Sequence, residues 1–158
     1  MVHLNPMTES EFQVYRKGAV EEYARERVRE GDWQPADALQ KAEQEFLRML
    51  PQGVNSQNQY LLSIQADQTD LNLGMLWFAV RGTAPHLAAF IYDFMIYEPF
   101  RQRGYGTQAL NALDEKAREL GIATISLHVF GHNQAAIALY QKAGYEITNL
   151  QMAKKLSI

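Results

Sequence analysis

The chain has 158 residues and no cysteine. That absence excludes disulfides, zinc–thiolate centres and a cysteine nucleophile. Basic residues are not in excess either: the formal net charge is −3, and lysine and arginine form no run. Nucleic acid is therefore not expected as the partner, since proteins that bind it present a basic face. Long apolar stretches are missing. The longest, such as Met75 to Val80, fall far short of a bilayer span, so no membrane partner is expected. The start, Met1-Val2-His3-Leu4-Asn5-Pro6, has no basic region with an apolar stretch behind it. No signal peptide is expected, and a cytoplasmic location follows by default. Metal-ligand spacing is absent as well. His128 and His132 lie four apart, but Gly131 and the change from strand to loop deny them one helical face, so no metal is expected. What is present is ordinary for a globular protein, with 47% hydrophobic and 21% charged residues. The length suits one domain, residues 1–158, around a single core.

Periodicity divides the chain into helices and strands. Thr8-Glu9-Ser10-Glu11 reads as a capping box, and Phe12, Tyr15, Ala19 and Tyr23 follow at helical spacing until Gly31-Asp32. Pro35 suits the first turn of a second helix, with Leu39, Ala42, Phe46, Met49 and Leu50 as its apolar face and Pro51 and Gly53 as its stop. The segments Gln59–Ala66, Leu71–Val80 and Leu87–Tyr97 read as strands with short connections, hence an antiparallel meander. A helix follows Gly104, with Leu110, Leu113, Ala117 and Leu120 on one face and Gly121 at its end. Thr124–Phe130 alternates as a strand, Asn133 is an N-cap for a short helix ending near Gly144, and Tyr145–Ala153 returns as a strand. The order predicts one α/β (α+β) domain with a mixed sheet.

The segment Ile91 to Thr107 places a strand, a glycine turn and a helix N-terminus in series. A helix N-terminus exposes unpaired N–H groups and a partial positive charge, so it suits an anion. Gly104 and Gly106 allow close approach of backbone to a phosphate. Arg101 and Arg103 can add charge-assisted hydrogen bonds, and Thr107 a hydroxyl. Taken alone, Gly-x-Gly equally suits an ordinary turn with solvated arginines. It is not a P-loop, because no Gly-Lys-Ser/Thr follows. Nor is it a dinucleotide fingerprint, because Ala109 fills the third glycine position.

Two local patterns carry a resemblance. Arg101-x-x-Gly104-x-Gly106 is similar to the (Arg/Gln)-x-x-Gly-x-(Gly/Ala) motif of the GNAT superfamily of N-acetyltransferases. The run from His128 to Tyr145 resembles its second signature, a strand followed by Asn-x-x-Ala-x-x-Leu-Tyr-x-x-x-Gly-(Phe/Tyr), with Asn133, Ala136, Leu139, Tyr140, Gly144 and Tyr145 in those places. The resemblance covers residues 87–146 and is greatest to small uncharacterised bacterial members. It implies a mixed, mostly antiparallel central sheet with a splayed parallel strand pair and helices on both faces. It also implies acetyl-CoA as co-substrate and an amine as acceptor. The N-terminal helices, residues 1–53, match no general motif and fall on the acceptor side.

The resemblance further implies a role for each matching residue. The splayed strands would be Leu87–Tyr97 and Thr124–Phe130. The pantetheine arm would bond to the main chain of Phe94, Met95 and Ile96. The pyrophosphate would lie on Gln102, Arg103, Gly104, Tyr105, Gly106 and Thr107, beside Arg101. Asn133 would touch the cofactor arm, a role compatible with capping its helix. Tyr140 would protonate the departing thiolate. A phenol with pKa about 10 can give its proton to a sulfur of comparable basicity, about 8.5 for a thiol. Without the motif, Tyr140 would read as a core tyrosine beside Ile137 and Leu139. The base is less determined by pattern. Some members carry a glutamate where Tyr92 stands, and others where His128 stands. Histidine titrates near neutrality and can accept a proton directly or through water. Tyr92 and Asp93 are the candidate acceptor contacts. Asp93 could hold a cationic amine or a structural arginine, although strand alternation puts it on the opposite face from Tyr92.

Two other classes of function fit parts of the sequence. A non-catalytic acyl-CoA-binding module would keep the cradle and transfer nothing, but Tyr140 and Asn133 favour the enzyme. An interaction protein or homodimer would use the stripe Phe12, Tyr15 and Tyr23, a pattern more often found in a core.

Overall fold

The computed structural model describes residues 1–157. The elements run β1 (Val2–Pro6), α1 (Glu9–Arg29), α2 (Pro35–Met49), β2 (Gln59–Ala66), β3 (Asn72–Arg81), β4 (Leu87–Ile96), α3 (Tyr105–Glu119), β5 (Ile122–Leu127) and α4 (Gln134–Lys142). The strands lie side by side in sequence order. The first four pair antiparallel, and β5 alone lies parallel to its neighbour β4. A parallel pair needs a crossover between its strands, and α3 supplies it.

Local chemistry sets the helix ends. The Thr8 hydroxyl accepts from the Glu11 N–H at 3.1 Å, and the Glu11 carboxylate accepts from the Thr8 N–H at 2.9 Å, completing the capping box. The same carboxylate accepts from the Ser63 hydroxyl at 3.0 Å, which ties the start of α1 to β2. Pro35 opens α2, and Gly31, Gly121 and Gly144, all at positive φ, follow the ends of α1, α3 and α4. On α2 the expected face holds at Ala42, Phe46 and Leu50, which are buried, and at Met49, which packs against the core; only at its start does Ala38 replace Leu39, which is 53% exposed.

The sheet separates two cores. On one face Leu62, Ile64, Leu76 and Phe78 pack with Leu110 and Leu113 of α3, and α4 adds Leu139 and Tyr140. On the other, Leu61, Met75 and Trp77 pack with Phe12 and Val20 of α1 and with Phe46 of α2. Alternation along β2 and β3 feeds both faces. The aromatic stripe of α1 belongs to the second core: Phe12 is fully buried, and Tyr15 and Tyr23 pack against the cluster.

Three elements depart from the sequence pattern. The strand Val2–Pro6 was not anticipated: Val2 and Leu4 do alternate with His3 and Asn5, but the run is only five residues long and ends in proline. Next, β5 stops at Leu127 although alternation continues to Val129, because its pairing with β4 ends there. The expected strand Tyr145–Ala153 does not form. Residues 146–157 lie exposed without regular structure, including Ile147, Leu150 and Met152. A strand exists only where another strand accepts its main-chain hydrogen bonds, and this segment is not laid along the open edge of β5.

Candidate active site

The two strands at the centre part company. Pairing between β4 and β5 ends at Ile91 and Leu127, yet β4 continues to Ile96. The Tyr97 N–H donates to the Leu73 carbonyl on β3 at 2.8 Å. By the two-residue period, the main-chain groups of Met95 also face β3, and those of Phe94 and Ile96 face the gap left by β5. The main chain of Met95, an expected cofactor contact, thus faces β3 and not that gap. Gly74 makes the close β3–β4 contact feasible: a Cβ there would stand 2.0 Å from the Met95 oxygen. The Ile96 carbonyl is already used, accepting from Arg101 Nε at 2.8 Å. Arg101 therefore braces the turn against β4.

The turn after β4 is an exposed row of amides. Gln102 (φ 65°) and Gly104 (φ 83°) are both left-handed, with Arg103 between them. Gly104 caps α3 with no side-chain hydrogen bond, and the first helical bond runs from the Gln108 N–H to the Gly104 carbonyl at 3.2 Å. Among the described residues, the N–H groups of Gln102 through Thr107 thus have no protein acceptor. Arg101 to Gly104 are exposed, and Tyr105 to Thr107 are half-buried. Unpaired amides at a helix N-terminus, with Arg103 beside them, have the chemistry to hold an anion. The two glycines serve differently. Gly104 supplies the left-handed bend and faces open space, whereas a Cβ on Gly106 would stand 3.2 Å from Leu139 of α4.

Helix α4 brings its residues to the same gap. The Asn133 side-chain oxygen accepts from the Ala136 N–H at 3.2 Å, so it caps α4 and keeps its amide hydrogens free. The Tyr140 ring is half-buried, with its centroid 6.3 Å from that of Phe94 and 5.6 Å from that of Tyr145. Burial, then the charge of Asp93, push the Tyr140 phenol above its ordinary pKa, so it holds its proton at neutral pH. His128 follows the end of β5, exposed, with its ring edge-on to Phe130 at 5.0 Å and no hydrogen bond among the described residues. Parallel register makes Leu127 level with Ile91, so His128 stands at the level where the gap opens.

A β-bulge decides the other side of the gap. Trp77 lies opposite Asp93 and Phe78 opposite Ile91, which leaves Tyr92 as the extra residue. Tyr92 and Asp93 consequently share the face that α1 and α2 cover, correcting the alternation that separated them. The Tyr92 ring packs 4.9 Å from Trp77, and its hydroxyl accepts from Arg81, whose guanidinium lies over that ring. Asp93 Oδ2 accepts from the Tyr15 hydroxyl at 2.7 Å. Burial raises the pKa of Asp93, and the hydrogen bonds from Tyr15 and the Phe94 N–H partly offset it. Burial likewise raises the Tyr15 phenol, followed by Asp93, so it stays a donor. Between α1 and β4 lies a cavity of about 700 Å³, lined by Tyr15, Gly18, Glu22, Asp93, Met95 and Tyr97 among others. Pattern reading had placed Tyr15 in the core and gave Tyr97 no role.

Residues 19–145 match the model of the acetyltransferase (GNAT) family. The chain belongs to this family. It is 43% identical over 153 residues to the uncharacterised N-acetyltransferase YdgE of Bacillus subtilis (strain 168), covering 97% of both chains. The N-acetyltransferase YycN of the same organism, also uncharacterised, is 43% identical over 155 residues, 98% of this chain and 99% of the relative. The crystal structure of YycN superposes with a TM-score of 0.87 over the whole of both chains at 42% identity. A more distant solved structure shares the fold at a TM-score of 0.59 and 16% identity; it is AAC(6')-Iy in complex with a CoA-containing bisubstrate analogue. The five-stranded mixed sheet with helices on both faces is the GNAT fold, and the protein is an acyl-CoA-dependent N-acetyltransferase. Among the described residues, no GNAT helix here is long and apolar enough to cross a membrane, and no three His, Asp or Glu side chains cluster as metal ligands.

Proposed function

We propose that this GNAT enzyme transfers the acetyl group of acetyl-CoA directly to a primary amine, with Tyr140 protonating the departing CoA thiolate. One observation carries the reading. The gap beyond Ile91 and Leu127 has exposed, unpaired amides at one end and a proton-holding phenol against Phe94 beside it. An anion at the turn and a thioester in the gap would together reach Tyr140. The diphosphate would lie on the N–H groups of Gln102 to Thr107 next to Arg103. The pantetheine arm would bond to Phe94 and the Ile96 N–H, and Asn133 would offer its amide hydrogens. Residues 87–146 would form the acyl-CoA-binding core, and the helices within residues 1–53 the acceptor wall.

The chemistry balances without a covalent enzyme intermediate. The amine nitrogen attacks the thioester carbonyl, the N–C bond forms and the carbonyl electrons move to oxygen. The tetrahedral species collapses, the C–S bond breaks, and the sulfur takes the Tyr140 proton. A raised phenol pKa suits this role, because the acid must arrive protonated. His128, at the opening of the gap, would take the ammonium proton before attack, directly or through water, and release it to solvent; the second proton, shed by nitrogen in the tetrahedral species, would return to the Tyr140 phenolate. Tyr140→Phe keeps the ring and removes the proton. It should leave acetyl-CoA affinity unchanged and lower kcat by about 100-fold or more. An unchanged kcat removes Tyr140 from the mechanism.

A further inference from the structure

An N-acetyltransferase needs a second site for its acceptor, and the cavity between α1 and β4 has the dimensions for one. Its volume of about 700 Å³ lies within the range of small-molecule sites, roughly 300–1,000 Å³. The wall has a definite chemistry. Its charged side chains are Glu11, Glu22 and Asp93, and neither lysine nor arginine lines it. Val14, Ala19 and Met95 supply the apolar surface. At Gly18 a Cβ would meet nothing within 4 Å, so α1 stands back from the space.

The three carboxylates are not equivalent. Glu11 is committed to the capping box and to Ser63. Glu22 is exposed and paired with Arg25 at 2.6 Å. Asp93 is part-buried, receives the Tyr15 hydroxyl on one oxygen, and has no cationic partner among the described residues. A carboxylate withdrawn from water without a counter-charge is costly, and a ligand that brings the cation removes that cost. Asp93 also adjoins Phe94, whose main chain faces the gap, and the bulge at Tyr92 is what turns it toward α1.

We propose that the acceptor is a cationic primary amine on an apolar stem, free of carboxylate and phosphate, which enters between α1 and β4 and seats its ammonium on Asp93. Tyr15 is then a positioning residue, holding the carboxylate in place through Oδ2. The stem lies along Met95 and Val14. An acceptor carrying its own carboxylate would set it against Glu11, Glu22 and Asp93 with no cation to receive it. This inference rests on the acetyl-transfer reading above.

The test uses the full chain, acetyl-CoA and three amines that share one stem: hexylamine, diaminohexane and aminohexanoate. Acetyl-CoA affinity is measured by calorimetry, and transfer by release of the CoA thiol. Hexylamine and diaminohexane should be acetylated, and aminohexanoate should show a kcat/KM at least about 10-fold lower. Asp93→Asn should raise the KM for hexylamine by about 10- to 100-fold, the loss of one charge-assisted hydrogen bond, with acetyl-CoA affinity unchanged. Tyr15→Phe should raise the same KM by a smaller factor. The inference is overturned if aminohexanoate is the better acceptor, if Asp93→Asn leaves the amine KM alone, or if acetyl-CoA binds and none of the three is acetylated. Absence of acetyl-CoA binding in the unaltered protein would instead remove the reading beneath it. The three-amine comparison needs no variant, so a misfolded Asp93→Asn leaves it standing.

Discussion

Asp93 is the residue at which burial works against the charged form of a side chain. Burial raises its folded pKa above the ordinary 3.8, so at pH values above 3.8 the folded state binds more protons at this site than the unfolded state. The contribution of Asp93 to stability is therefore fully present below the unfolded pKa and is lost as pH rises through the folded pKa. Asparagine keeps the acceptor for Tyr15 and carries no charge to desolvate. Asp93→Asn should raise Tm at pH 7, by on the order of 2–4 °C for each kcal/mol relieved, and the difference should shrink toward pH 4. Thermal melts of both proteins across that range check this; a lower Tm for Asp93→Asn at pH 7 would show that the carboxylate is paid for by contacts the fold needs. At this scale the sequence was legible where a residue acts within its own segment. Asn133 caps the helix it begins, and Gly104 bends the turn it occupies. It was not legible for Tyr15, whose partner lies 78 residues away.

Among the elements, β4 bears the most constraints. It pairs with β3 throughout, bulges at Tyr92, loses β5 after Ile91 and ends in the amide-rich turn. Gly74 is the point where β3 depends on it, with backbone and not a flexible side chain opposite the missing Cβ. Gly74→Ala would force Met95 and Ile96 to move. It should cost about 1–3 kcal/mol, as overpacking does, and weaken acetyl-CoA binding with it. Denaturant melts and calorimetry on the same variant report the two effects, and a normal acetyl-CoA affinity in a destabilised protein would separate the strand position from the site. Helix boundaries were readable because caps, prolines and glycines act over a few residues. The bulge was not, because an extra residue is defined only against the partner strand. The extent of β5 and the missing strand after Tyr145 were unreadable for the same reason.

The whole molecule is a sheet with two unlike faces. One packs α3 and α4 and presents the turn and Tyr140; the other packs α1 and α2 and encloses the acidic cavity. Among the exposed stretches, the turn Arg101–Gly104 and the segment of residues 146–157 carry basic residues outside any regular element. Trypsin should cut first at these two places, after Arg101 or Arg103 and after Lys154 or Lys155. Acetyl-CoA should protect the turn and leave the terminal segment open, as read by mass spectrometry of the fragments. A turn cut equally fast with saturating acetyl-CoA would argue that the cofactor does not rest there. The amino-acid sequence by itself determined the helix limits, the strands β2, β3 and β4 and the residues of the two motifs, because each follows from contacts among near neighbours in the chain. Only the tertiary structure decided which backbone groups face the gap, that Tyr92 and Asp93 share a face, and that Tyr15 meets Asp93. Those outcomes depend on how strands register against one another and on which helix covers which face, and distant segments settle them jointly.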